Sequence, residues 1–300
     1  MNELRDARIL VVGAGGQIAP PLVEHLAATN EVVAVARFSR PEQRERLDAA
    51  GAVTVAIDLD RDGVAGLPAD IDYLLHFAAY QPSADDFDGA MRINAELTGL
   101  VMQHCRTARA ALVMSTHSVY RPHDDPYHVF DETTSPIGDC RPTHSPPYSA
   151  SKIAQEGVAR TCARMFDLPT VICRMNAAYD DDGGLPIHHL SAIAAGVPVP
   201  TRWDPCTYSP IHQDDINAQI GGLLAAADVP ATIVNWAGDE SVSVQEWSAY
   251  MAGLLGVEHS VAVTALPGTL RGSIASNARR LSFTGPCTTG WREGLARAVA

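Results

Sequence analysis

Along the chain, short apolar runs alternate with longer stretches of helical periodicity. Ile9-Leu10-Val11-Val12 is a flat, wholly apolar run, the pattern of a strand buried on both faces of a parallel sheet. Further strands are predicted at 32–35, 53–57, 73–77, 111–114 and 170–173, and helices at 22–28, 42–50, 87–108 and 149–166. Strands separated by helices of this length predict right-handed βαβ units and an α/β fold, a Rossmann-type doubly wound parallel sheet. After Ala178 the alternation loosens. A loop at 180–184, a helix at 187–195, an extended segment at 198–203, a helix at 214–227, a strand at 232–236 and a helix at 244–255 predict a smaller lobe. The expected domains are 1–178 and 179–300, with 210–236 returning to the main domain. Residues 121–147, with several prolines, His and Asp, form a loop whose length marks it as functional or mobile. No internal repeat or low-complexity segment is present.

A chain of 300 residues, 46% hydrophobic and 19% charged, has room for a large core. The net charge of −13 argues against nucleic acid as a partner, because no basic excess exists to neutralise phosphates. No apolar stretch is long enough for a membrane span, and the first residues are charged rather than signal-like. Six scattered cysteines without a Cys-x-x-Cys pair predict a reduced, cytoplasmic protein. The eleven histidines show no metal-ligand spacing, so no metal is expected. The expected partner is a small-molecule substrate, and the expected assembly a homodimer.

Candidate chemistry begins at the turn after the first strand. Its spacing is Gly13-x-x-Gly16-x-x-Ala19. Small residues let a backbone approach a pyrophosphate, and the helix that follows offers free N–H groups and a positive dipole end. Pro20 and Pro21 are tolerable only in that helix's first turn. The second strand ends Val35-Ala36-Arg37-Phe38-Ser39-Arg40. A carboxylate there would bind the ribose 2′-hydroxyl of NAD; a basic residue suits the 2′-phosphate of NADP. Arg37 therefore points to NADP, with Arg40 in support and NAD as second choice.

Tyr148-Ser149-Ala150-Ser151-Lys152 places a tyrosine and a lysine at i and i+4, on one helix face. A free tyrosine is a poor base at neutral pH, but a nearby ammonium favours the phenolate. Tyr148 can then exchange a proton with a substrate hydroxyl. With the glycine turn upstream, the chain resembles the extended short-chain dehydrogenase/reductase superfamily, in its epimerase/dehydratase-like branch, over nearly its whole length. The resemblance implies a cofactor site at Gly13, Gly16, Gln17, Ile18, Ala19, Arg37, Asp58, Leu59, Ala78, Ala79, Tyr148, Lys152 and Met175. Ser115-Thr116-His117-Ser118-Val119-Tyr120 resembles the segment that supplies the family's catalytic hydroxyl, so Thr116 joins Tyr148 and Lys152 as catalytic, with Ser115 as fallback. Asn94 matches a family asparagine that supports the site, and reads equally as a buried hydrogen-bonder. Expected substrate contacts are Tyr80, Gln81, His117, Ser118, Asn176 and Ala177. His117 reads equally as a packed histidine.

The departures narrow the expected activity. His117 and Ser118 stand where the family's dehydratases carry Asp and Glu, so dehydration is not expected. Ala177 replaces an asparagine common in nucleotide-sugar enzymes, and Cys206-Thr207-Tyr208 lacks the usual diphosphate-binding arginine. Trp203, Tyr80 and Tyr208 are candidates for a more apolar pocket. The expectation is an NAD(P)-dependent oxidoreductase of a ketone or secondary alcohol smaller or less charged than a nucleotide sugar. The alternatives are a sugar or nucleotide-sugar 4-epimerase with retained cofactor, and a non-catalytic dinucleotide-binding protein.

Overall fold

A computed structural model of the chain describes residues 4–81, 86–138 and 146–300, the side chain of residue 146 excepted. In chain order its first elements are β1 (Arg8–Val12), α1 (Ala19–Ala27), β2 (Glu31–Ala36), α2 (Pro41–Ala49), β3 (Val53–Ala56), α3 (Leu59–Asp62), β4 (Tyr73–His76), α4 (Phe87–Ala90), α5 (Leu97–His104) and β5 (Ala110–Thr116). There follow β6 (Val129–Phe130), α6 (Pro146–Phe166), β7 (Thr170–Met175), β8 (Ala178–Tyr179), α7 (Leu185–Ala194), β9 (Val199–Thr201), β10 (Thr207–Tyr208), β11 (Ile211–His212) and α8 (Gln213–Ala225). The chain closes with β12 (Thr232–Trp236), β13 (Val242–Ser243), α9 (Val244–Leu255), β14 (Val261–Val263), β15 (Gly272–Ala275), α10 (Ala278–Thr284) and α11 (Trp291–Val299).

Seven strands form one sheet in the order β12-β7-β5-β4-β1-β2-β3. β1 pairs in parallel with β2 and β4, β2 with β3, and β4 with β5. This is the expected Rossmann-like α/β fold. The chain starts in mid-sheet, winds outward through β2 and β3, then crosses back to β4. The order therefore reverses between β1 and β4, and ligands of such sheets bind outside the strands' carboxyl ends at that reversal. On one face Leu10, Val12, Val33, Val35, Leu74 and Val113 pack with Val101, Met102 and Ile172. Each such side chain, fully buried, contributes roughly 1.5–3 kcal/mol.

The chain divides into two compact units. The first comprises Met1–Thr116, Ser145–Arg174 and Asn217–Val234; the second comprises His117–His144, Met175–Ile216 and Asn235–Ala300. The sequence reading places a boundary at 178 with 210–236 returning to the first domain; the chain alternates between the two units, each built from three segments. The second unit has its own core, in which Trp247, Met251, Val244, Val199 and Trp291 pack together. Its four-stranded sheet runs β13-β10-β15-β6.

Three local differences from the sequence reading have physical causes. α1 begins at Ala19, three residues early, because Pro20 and Pro21 fit its first turn, where N–H groups lack intrahelical partners. The single helix expected at 87–108 is interrupted by a π-helical segment, Met91–Glu96, centred near Asn94. Beyond Leu255, where the sequence predicts no element, the chain forms β14, β15, α10 and α11. Of the long loop at 121–147, residues 129–130 form β6, and residues 139–145, with Cys140, lie outside the described residues. Cys105, Cys162, Cys173, Cys206 and Cys287 are free. Among the described residues no helix is long and apolar enough to cross a membrane.

Candidate active site

The glycine turn leaves β1 at the reversal point. Gly13 has φ +91°, a conformation that L side chains rarely adopt. The Gly13 and Ala14 amides both donate to the Val35 carbonyl, at 2.9 and 3.0 Å, and the Gly16 amide closes the turn on the Gly13 carbonyl at 3.1 Å. The backbone beyond β4 lies directly against this turn. A Cβ on Gly13 would stand 2.6 Å from Ala78 Cα and 2.7 Å from the Phe77 carbonyl carbon. Gly13 thus brings together the two stretches, 13–19 and 78–79, that the sequence assigns to the cofactor. Ile18, at the cap position of α1, has no polar side chain with which to bond the first-turn amides.

The ends of β2 and β3 carry the other assigned residues. Arg37 follows β2 and is exposed, and neither its side chain nor that of Arg40 has a hydrogen-bond or ion-pair partner among the described residues. Asp58 caps α3, its Oδ1 accepting the Asp60 amide at 3.2 Å, and Leu59 opens that helix.

The π-helical segment places Asn94 under β4. Asn94 Oδ1 accepts the Tyr80 amide at 2.7 Å, while its Nδ2 donates to the Tyr80 carbonyl at 2.8 Å and to Ser151 Oγ at 2.9 Å. The residue is wholly buried, a hydrogen-bonder that ties residue 80 to α6. π-helical turns often occur at functional sites, because the extra residue re-aims a side chain. His76, at the end of β4, meets Thr98 Oγ1 through Nε2 at 2.8 Å, and burial pushes its pKa down to about 3.

The three expected catalytic residues fall within the first unit, at the end of β5 and in the first turns of α6. Thr116 and Gln81 both hydrogen-bond to the Tyr148 hydroxyl and favour its phenolate. Burial outweighs them, so the Tyr148 pKa is raised. The Lys152 ammonium is not among the groups that act on it. The lysine points elsewhere: its Nζ donates to the Met114 carbonyl at 2.7 Å. Lys152 is 1% exposed, and burial draws its pKa down to about 7. Ser115, the fallback hydroxyl, donates to Glu156 Oε1 at 2.6 Å.

The sequence carries a signal at Lys152 beyond its motif. Of 22 lysines and arginines, Lys152 is the only lysine. Every other cationic position is arginine, so this one requires what arginine lacks: a compact ammonium whose charge responds to burial.

Within the second unit, the expected substrate residues are largely occupied by their own fold. Asn176 Nδ2 donates to the Ser273 carbonyl at 2.5 Å, and Oδ1 accepts the amides of Ala177 and Ser209 at 2.8 and 3.2 Å. Asn176 therefore holds three segments together. His117 is 3% exposed, with Nδ1 3.1 Å from Ser273 Oγ and its ring edge-on to Tyr120 and Phe130. Ser118 and Ala177 are partly buried, and Met175 is buried at the end of β7. Of the aromatic residues suggested for an apolar pocket, Tyr208 stacks on Trp247 in the core, Trp203 donates to Thr269 Oγ1 beneath the Arg271 guanidinium, and Tyr80 donates to Asp86.

A family model described as the NAD dependent epimerase/dehydratase family matches residues 9–190, more than half of the chain. No curated protein matches the chain in sequence. Solved structures do resemble it. UDP-glucuronic acid 4-epimerase from Bacillus cereus, in complex with UDP-glucuronic acid and NAD, is 19% identical, with 97% of this chain and 98% of that chain covered and a TM-score of 0.84. MoeE5, in complex with UDP-glucuronic acid and NAD, is 25% identical, with 97% of each chain covered and a TM-score of 0.83. UDP-glucose 4-epimerase from Thermus thermophilus, in complex with NAD, is 21% identical, with 97% of each chain covered and a TM-score of 0.81.

Proposed function

Because the chain belongs to the NAD-dependent epimerase/dehydratase family, we propose that it is a sugar epimerase, inverting a secondary alcohol by hydride transfer out and back. The observation that carries this reading is the Tyr148 hydroxyl, on a partly buried side chain and held by Thr116 and Gln81 at the carboxyl end of the sheet. The solved complexes of similar proteins with UDP-sugars and NAD favour an epimerase over the net oxidoreductase expected from the sequence.

The residues present fit a dinucleotide. Gly13 lets the turn after β1 lie against the Phe77–Ala78 backbone, which any side chain would push away, and Lys152, with Met114 as its acceptor among the described residues, has N–H bonds to spare. Bound nicotinamide would supply the hydride acceptor and donor. The chain's own residues handle the proton. Tyr148, as the phenolate that its two hydrogen bonds and the positive charge of bound oxidised nicotinamide would favour, takes it from the substrate hydroxyl and returns it as the alcohol re-forms with inverted configuration. Thr116 and Gln81 hold the phenol oxygen and stabilise its charge. Lys152 would hold the nicotinamide ribose. Asn94 fixes the residue-80 backbone against α6 and keeps Gln81 beside Tyr148.

The test is product analysis. The purified protein is incubated with a panel of UDP-sugars, and epimers are separated by chromatography. Epimer formation without accumulation of reduced cofactor is the expected result. A second reading, net reduction of a smaller ketone, is favoured by Ala177 and by the lack of arginine at 206–208. Reduced cofactor consumed by a carbonyl compound, with UDP-sugars inert, would establish it instead.

For the choice of dinucleotide we assign a preference for NADP, on the exposed Arg37, unpartnered among the described residues, and the absence of a carboxylate at 37–40. The NAD held by the similar structures is the argument for the other choice. Arg37→Asp is expected to weaken NADP(H) relative to NAD(H) by roughly 1.5–3 kcal/mol, the worth of a charge-assisted hydrogen bond. Equal weakening of both cofactors in calorimetric titration would make Arg37 an ordinary solvated arginine.

A further inference from the structure

Lys152 is buried where it should lose its charge. The Met114 carbonyl meets it from β5. His76, on β4, also acts on it but is neutral, since burial keeps its pKa at about 3. Tyr148, one turn back on α6, is a neutral phenol. One turn forward on α6 stands Glu156, the carboxylate that acts on Lys152. Glu156 is 3% exposed and held on both oxygens. Arg174, from β7, grips it through Nε and Nη2 at 2.9 and 2.8 Å, and Ser115, from β5, donates at 2.6 Å.

A buried ion pair of this kind is not required for packing, since an apolar pair of similar volume often serves as well or better. What an apolar pair cannot supply is a fixed negative charge beside a buried ammonium. We propose that Glu156 is a positioning residue of this site: clamped by Arg174 and Ser115, its carboxylate keeps Lys152 charged and ready to hold the dinucleotide. This rests on the reading of Tyr148 and Lys152 given under the proposed function.

The test uses the one lysine of the chain. Protein grown on isotopically labelled lysine carries one lysine side-chain signal, which NMR follows as the pH is varied. The wild-type signal is expected to titrate near about 7. Glu156→Gln alone strands Arg174 as an unpaired buried cation and can unfold the chain. The decisive protein is therefore the paired variant Glu156→Gln/Arg174→Gln. Its lysine midpoint is expected to fall, because the group that acts on Lys152 is Glu156 and not Arg174, and burial remains when both charges are gone. An unmoved midpoint overturns the proposal. So does a rise, which would mean that water has entered and that Glu156 acted only in packing. Tyr148→Phe separates the two readings. Normal turnover by that variant sinks the catalytic assignment, whereas an inactive Tyr148→Phe with an unmoved lysine midpoint sinks only the role of Glu156.

Discussion

Tyr148→Phe is expected to lower turnover on the order of 10²–10⁴-fold, the usual worth of a positioned acid/base. Phenylalanine keeps the ring but removes the oxygen that Thr116 and Gln81 hold. Nothing else in the dinucleotide cradle changes: Gly13 still lies against the Phe77–Ala78 backbone, and Lys152 still donates to Met114. Cofactor affinity should therefore stay within a few-fold. Loss of one hydrogen-bonded hydroxyl costs about 0.5–1.5 kcal/mol of stability, too little to unfold the chain. The checks are turnover, cofactor titration and a melting curve on the same sample. A well-folded variant with normal turnover would show that the proton moves through another group.

The second large effect is expected at Gly13→Ala. Two costs add there. The first is the backbone conformation, φ +91°, which costs an L residue roughly 1–3 kcal/mol. The second is steric, since the new methyl would lie 2.6 Å from Ala78 Cα, and backbone cannot swing aside as a side chain can. Overpacking of this kind costs typically about 1–3 kcal/mol more. Gly51→Ala is the control, because Gly51 has a similar φ of +90° but no atom within 4 Å of its would-be Cβ. Gly13→Ala should lower the denaturant midpoint clearly more than Gly51→Ala, and should also weaken dinucleotide binding. Equal midpoints would mean that the turn and the segment after β4 can separate without cost.

Much of the first unit is legible in the sequence because buried parallel strands leave flat apolar runs. β1 through β5 and β7 all appear as such runs, within a residue or two at each end. The proposed catalytic trio is legible for a different reason: Tyr148 and Lys152 lie one helical turn apart, and Thr116 follows from the resemblance of the segment that ends β5. What stays hidden depends on neighbours distant in sequence. The π-helical segment follows from Asn94 reaching Tyr80 and Ser151, which no local period reports. The bonds that occupy Asn176 come from Ser209 and Ser273, 33 and 97 residues away. β15 is invisible because its partners, β10 and β6, are each two residues long. Glu156 looks like an ordinary charge on an amphipathic helix. Only the adjacency of β5, α6 and β7 makes it a buried ion pair.

The solitary lysine has a practical consequence for handling the protein. Apart from the α-amino group, a folded molecule offers amine-reactive reagents no target, since its one ε-amine is 1% exposed. Lysine-directed crosslinking, immobilisation and dye coupling should therefore be slow. Acylation of Lys152 becomes instead a clock for transient opening around α6. Reagent can reach the amine only when the surrounding structure lets go, so the labelling rate measures the population of that open form. A ligand that closes over the site should slow the clock. That gives a binding assay needing neither knowledge of the reaction nor any optical change.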